Sequence, residues 1–208
     1  VGLAAVQLAQ RSGAQIFATA GSTEKRDFLS SLGVHHVMDS RSLSFADEIM
    51  DITHGKGVDI VLNSLAGEAI QKSLSCLSPY GRFLEIGKRD IYENNKLGLR
   101  PFRNNLSYFA IDLAKVMQDR PALIHKLLVS VVKLFNKNEL RPLPHKTYLL
   151  GDVASAFRDM AQAKHIGKIV VSIPDNDVAV EPELATSVLL KNNATYLITG
   201  GLGGFGLA

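Results

Sequence analysis

Five short apolar runs recur about every 20 to 25 residues: QIFATAG, HHVMD, GVDIVLNSL, RFLEIG and LSYFAIDL. Between them lie stretches with helical spacing. TEKRDFLSSL follows the cap residue Ser22, and FADEIMDIT and EAIQKSLSCL follow in turn. Strand, helix, strand at that interval is the rhythm of a parallel sheet with helical crossovers. GVDIVLNSL is almost unbroken in its apolar character, as expected of a strand buried on both faces. Pro79 and Gly81 mark a turn ahead of RFLEIG. The fold class expected is α/β, a doubly wound parallel sheet.

The register of this pattern is unusual at both ends. The chain opens on VGLAAVQLAQ, where Leu3 and Val6 have helical spacing, and no strand precedes it. A doubly wound nucleotide-binding sheet starts with a strand and a glycine turn. Val1-Gly2 reads as the tail of that turn, so the sheet is expected to be truncated at its N-terminus. Beyond the strands come the long amphipathic helix RPALIHKLLVSVVKLFNKNEL, then KTYLL, the helix DVASAFRDMAQAK and the strand GKIVVSI. Residues 175 to 193 are acidic in their first half and follow Pro174, which reads as a linker. The last residues, TYLITGGLGGFGLA, have the form of a strand entering a glycine-rich turn. Gly200, Gly204 and Gly206 there would let the backbone approach a pyrophosphate, and the next helix would bring its positive end. A second nucleotide-binding domain is expected to begin where the chain ends.

Composition excludes several classes. Apolar residues make up 46% of the 208, enough for a core, and the net charge of +3 gives no electrostatic case for nucleic acid. No apolar run reaches membrane-spanning length and no signal-peptide pattern is present. Cys76 is the single cysteine, and the six histidines have no metal-binding spacing, so no metal site is expected. A cytoplasmic protein fits these features.

The series GKGVDIVLNSL, GRFLEIGKRD and AFRDMAQAKHIGKIVV resembles the enoyl reductase domain of modular, type I polyketide synthases and of animal-type fatty acid synthases. Those domains form a zinc-free, quinone-reductase-like branch of the medium-chain dehydrogenases. The resemblance runs from residue 1 to about 174, and TYLITGGLGGFG is similar to the opening of the ketoreductase domain that follows. It implies an NADPH-binding Rossmann domain over residues 1–140 and a segment at 141–174 that returns to a substrate domain. A linker at 175–193 and the start of a ketoreductase at 194–208 would follow. It also implies an enoyl chain carried on the phosphopantetheine arm of an acyl carrier domain, inside a homodimeric synthase. Residues 1–208 alone are expected to be inactive. The rival readings are an animal-type fatty acid synthase, a free-standing quinone or enoyl reductase, and a degenerate reductase kept as a scaffold.

The residues add chemistry to this reading. The pyrophosphate is expected at the helix start, at Gly2. At the end of the first strand, Ala20-Gly21-Ser22-Thr23-Glu24-Lys25-Arg26 carries no acid placed to select NADH by its ribose hydroxyl. Ser22, Lys25 and Arg26 offer a hydroxyl and two cations, which suits the 2′-phosphate of NADPH; the alternative is a capped helix with exposed basic residues. Asn63, and Ile86 with Gly87, close two strands at the carboxyl edge of the sheet, where ligands bind in open α/β folds. Ordinary loop capping is the competing role. Lys88 follows at once. In the resembled family the lysine of this motif and a later aspartate, here Lys88 and Asp112, are the proton-donating pair. Asp112 also reads as a cap for LAKVMQD, and Asp90 is a nearer partner for Lys88.

Overall fold

The structure is a computed structural model that describes residues 1–173 and Asn193. The order is α1 (Gly2–Arg11), β1 (Phe17–Ala20), α2 (Thr23–Ser31), β2 (His36–Asp39), α3 (Phe45–Ile52), β3 (Val58–Asn63), α4 (Glu68–Ser75) and β4 (Leu77–Glu85). Then come α5 (Arg89–Tyr92), β5 (Ser107–Ala110), α6 (Leu113–Asp119), α7 (Pro121–Asn136), β6 (His145–Leu149), α8 (Val153–Ala161) and β7 (Lys168–Ser172). All pairing among the described residues is parallel: β1 with β2, β3–β4–β5 in that order, and β6 with β7. This is the α/β parallel architecture expected. The linker at 175–193, Asn193 apart, and Gly200, Gly204 and Gly206 lie outside the described residues.

Three apolar clusters hold the elements together. Val6, Leu29 and Val34 pack α1 and α2 over the β1–β2 pair, with Ile16 among them. Met38, Phe45, Ala46, Ile49 and Cys76 form the second cluster, and Phe17 of β1 and Val58 of β3 both pack against it. It is this cluster that joins the β1–β2 pair to the β3–β4–β5 sheet. Ile70, Leu74, Leu77 and Phe83 form the third, which seats α4 on the sheet. Phe83 is fully buried and stacks on Tyr108 of β5 with ring centroids 5.2 Å apart.

The structure differs from the sequence expectation in three places. β3 is not buried on both faces: Ile60 and Leu62 are 48% and 42% exposed. Side chains alternate along a strand. Val61 packs into the α4 cluster and Asn63 is buried, while Ile60 and Leu62 stand on the opposite face. The turn expected at Pro79–Gly81 is instead a bulge inside β4. Val58 pairs with Leu77, but two residues on, Ile60 pairs with Arg82. Three extra residues are therefore accommodated on β4, with Tyr80 at φ 63°. Helix α7 forms as expected, but none of its residues is buried.

Gly57 shows how tightly the α3–β3 connection is drawn. It has φ +76°, and a Cβ there would lie 2.4 Å from the Cys76 carbonyl oxygen. Cys76 itself is 1% exposed, and its thiol donates to the Lys72 carbonyl at 3.2 Å. Burial pushes this thiol up to about 11. At pH 8 only about one molecule in a thousand would hold the reactive thiolate. Cys76 in the folded protein should therefore resist a thiol reagent at pH 8 and react at the rate of a free cysteine once denatured. Rapid labelling under native conditions would contradict the packing described.

Candidate functional site

The site is built at the carboxyl ends of three strands. Asn63 pairs in register with Glu85, and Glu85 with Ala110, so β3, β4 and β5 finish together. The ladder carries on one step beyond each strand: Ile86 N–H donates to the Asn63 carbonyl (3.0 Å) and Ile111 N–H to the Glu85 carbonyl (2.8 Å). The loops after β3 and β4, with Tyr108 of β5, border a small cleft of about 90 Å³, lined by Ser64, Leu65, Glu85, Gly87 and Lys88 among others. This is the edge at which ligands bind in open α/β sheets.

Asn63 and Glu85 are 3% and 2% exposed. Asn63 Nδ2 donates to Glu85 Oε2 (2.6 Å) and to the Leu65 carbonyl (2.8 Å), and Asn63 Oδ1 accepts from Leu65 N–H (3.3 Å). Glu85 Oε1 accepts from Gly87 N–H at 2.6 Å. The Asn63 side chain is thus engaged inside the protein. A Cβ at Gly87 would lie 2.8 Å from that same Glu85 oxygen, so the chain passes too close there for any side chain.

Lys88 Nζ lies 2.7 Å from Asp112 Oδ1, a single ion pair that joins the loop after β4 to the loop after β5. The same oxygen accepts from the N–H groups of Ala114 (3.0 Å) and Lys115 (3.3 Å), so Asp112 is at once the cap of α6 and the partner of Lys88. Asp90 does not pair with Lys88. It accepts from Gly67 N–H and from Asn95 Nδ2. The hydrogen bond from Lys88, and then that from the Lys115 amide, hold the Asp112 carboxyl below its ordinary range. The hydrogen bond to Asp112 holds Lys88 above its own. The pair's contribution is complete above the ordinary carboxyl value of about 3.9 and below the ordinary lysine value of about 10.4. It is lost as pH falls through the depressed Asp112 value or rises through the elevated Lys88 value. Asp112→Asn should return the Lys88 ammonium to titrating near an ordinary lysine, read from its side-chain nitrogen by NMR. An unchanged titration would show that the pair does not persist in solution.

A second group of polar residues lies at the end of β1. Ser22 caps α2, its hydroxyl accepting from Lys25 N–H at 3.4 Å. Arg26 folds back: it donates to the Ala20 carbonyl and to Thr23 Oγ1, and it lies 3.3 Å from Asp39 Oδ2 at the end of β2. Lys25 Nζ donates to the Ala163 carbonyl, in the segment after α8. Gly2 is the first residue of α1, in open space. A cation that the sequence reading did not single out stands here. A Cβ on Gly21 would meet Arg41 Nε at 3.1 Å and Ser40 Oγ at 3.4 Å. Because β1 and β2 are parallel and in register, the residues just past Asp39 necessarily lie beside those just past Ala20. That spacing could have revealed Arg41. Glu85 was also missed. A glutamate in an apolar strand pattern looks like a solvent-facing residue until the register shows that it shares the face of Phe83.

Among the described residues no group of three histidine, cysteine or acidic side chains could hold a metal ion, and the Cys76 thiol is buried and hydrogen-bonded. Residues 32–171 match the zinc-binding dehydrogenase family. The chain is 48% identical over 211 residues to a mycocerosic acid synthase-like polyketide synthase of Mycolicibacterium smegmatis; the match covers 100% of this chain and 10% of that protein. Among solved structures, CurK enoyl reductase matches with TM-score 0.72 and 48% identity, over 84% of this chain and 52% of that one. The nucleotide-binding subdomain of the PpsC enoyl reductase domain from Mycobacterium tuberculosis matches with TM-score 0.64 and 48% identity, over 68% of this chain and 79% of that one. The chain spans about a tenth of the curated relatives and about half of a solved enoyl reductase. Despite the family's name, its described residues do not form a zinc site. The chain belongs to the zinc-binding dehydrogenase family, as the nucleotide-binding part of an enoyl reductase domain of the type I polyketide synthase kind.

Proposed function

We propose that this chain forms the cofactor-binding part of a domain that reduces an α,β-unsaturated acyl thioester with NADPH. The observation that carries the reading is the Lys88–Asp112 pair at the carboxyl edge of the sheet, with Lys88 bordering a cleft between strand ends. A nicotinamide bound at this edge would supply a hydride to the β-carbon. Lys88 then gives a proton from Nζ to the α-carbon, or holds the enolate oxygen as negative charge develops there. Asp112 keeps the ammonium charged and aimed. After transfer Lys88 is a neutral amine and regains its proton from water.

The 2′-phosphate would be held by the Ser22 hydroxyl, the Lys25 ammonium and Arg41. Arg26 contributes less, because Asp39 already neutralises it. Gly2 at the start of α1 would face the pyrophosphate, and Ile86 and Gly87 would lie beside the nicotinamide. The proposed division is 1–140 for this cofactor domain, 141–174 for return to a substrate domain, 175–193 for a linker and 194–208 for a ketoreductase start with Gly200, Gly204 and Gly206. The mycobacterial polyketide synthase match runs over the whole chain, to its last residues. The substrate would arrive on the phosphopantetheine arm of an acyl carrier domain, in a homodimeric cytoplasmic synthase. Among the described residues no helix is long and apolar enough to cross a membrane.

Two measurements on the complete enoyl reductase test this. Lys88→Ala should slow reduction of an enoyl thioester by about 10²–10⁴, the usual loss with a general acid, with NADPH affinity nearly unchanged. A parental rate would reduce Lys88 to a solvated loop residue. Lys25→Ala and Arg41→Ala should each weaken NADPH binding by about ten- to a hundred-fold while sparing NADH, since a charge-assisted contact contributes roughly 1.5–3 kcal/mol. Equal affinity of the parent enzyme for both cofactors would overturn the NADPH assignment.

A further inference from the structure

Glu85 is a buried acid that neither the cofactor reading nor the proton-transfer reading uses. It stands between the two residues of the ion pair. Its side chain grips the amide immediately before Lys88, and its carbonyl accepts from the amide immediately before Asp112. Asn63 supports the same carboxylate from β3 and also closes the Ser64–Leu65 loop. The absence of a Cβ at Gly87 is what lets the amide reach the Glu85 oxygen at 2.6 Å. Every polar atom of this buried group is paired, and it ties together the loops after β3 and β4 that border the cleft and the first residue after β5.

We propose that Glu85 is a positioning residue: with Asn63 as its support, it fixes the Gly87 backbone and thereby aims the Lys88 ammonium at Asp112 and the cleft. The inference rests on Lys88 being the proton donor of the reading above. A lysine side chain carries considerable rotational freedom, and one ion pair with an exposed carboxylate is a weak restraint. A backbone held rigidly at the preceding residue limits the positions from which Nζ can reach Asp112. A misplacement of about 1 Å can lower a rate by about a hundred-fold.

The test uses the complete enoyl reductase with saturating enoyl thioester, and measures kcat, KM for NADPH and melting temperature. Glu85→Gln leaves one acceptor for two donors, so the side chain can keep the Gly87 amide or the Asn63 amide but is opposed by the other, which loosens the clamp. It should lower kcat by about ten- to a hundred-fold and move KM for NADPH by less than about two-fold. In a Lys88→Ala background the same substitution should lower kcat by less than about two-fold further, because two residues acting as one unit are not additive. The paired substitution Asn63→Asp with Glu85→Gln lets the new amide at position 85 donate to the new carboxylate at position 63 while its oxygen keeps the Gly87 amide; the Leu65 carbonyl loses its donor, so part of the lost kcat should be recovered. This variant also decides the matter if Glu85→Gln alone does not fold. The proposal is overturned by a parental kcat in Glu85→Gln, by an undiminished effect in the Lys88→Ala background, or by a folded swap variant with no recovery. A slow Lys88→Ala beside a fast Glu85→Gln removes only the positioning role. A fast Lys88→Ala removes the proton-donor reading, and with it the route by which Glu85 would act.

Discussion

The register of β3, β4 and β5 is the constraint on which the site depends. Phe83 of β4 points toward α4, where it is fully buried against Leu74 and Tyr108. Residues two apart on a strand share a face, so burying Phe83 also turns Glu85 inward. The carboxylate is not placed on the surface and recruited. It is carried into the interior by the same alternation that builds the core. An isolated buried charge costs several kcal/mol, and a partly satisfied one is worse than none. This is the physical reason both Glu85 oxygens make short contacts, at 2.6 Å to Asn63 and 2.6 Å to Gly87. A slip of one residue in the ladder would reverse every side chain and exchange Glu85 for Leu84 or Ile86. Core packing and site geometry are therefore specified together.

Much of this was legible in the sequence, and the parts that were not share a cause. Strand identity and parallel pairing follow from spacing; the pairing of Lys88 with Asp112 was implied by the family resemblance, and the structure brings the two together across 24 positions. The two roles weighed for Asp112 turned out not to compete, because one carboxylate oxygen accepts from Lys88 and from the α6 amides together. Burial was read less well. The apolar run of β3 looks uniform in sequence, yet Ile60 and Leu62 are about half exposed while Asn63 at its end is buried. Hydrophobicity tells which residues can be inside; only the pairing partner and the covering helix decide which are. The same limit hid Glu85, and it made Pro79–Gly81 look like a chain reversal when it is a bulge that β4 absorbs.

Charge placement at the end of β1 follows a related logic. Three cations, Lys25, Arg26 and Arg41, lie close in sequence or across the β1–β2 ladder, and composition alone treats them as equal. Asp39 separates them. Its Oδ2 neutralises Arg26, and its Oδ1 accepts the Arg41 backbone N–H at 2.8 Å, which turns the chain at the end of β2. That turn is what leads the Arg41 guanidinium over Gly21, where a Cβ would meet it at 3.1 Å. One carboxylate thus withdraws one cation from the corner and delivers another. Arg26 is held by a charge and by two neutral acceptors, whereas Lys25 is held by a single neutral carbonyl. A 2′-phosphate, if bound as proposed, would compete with a full opposite charge for Arg26 but only with a peptide dipole for Lys25. On the proposed reading the cation freer to change partners is therefore the lysine, although the arginine has more donors and its guanidinium lies against the Ala20 carbonyl at the strand end.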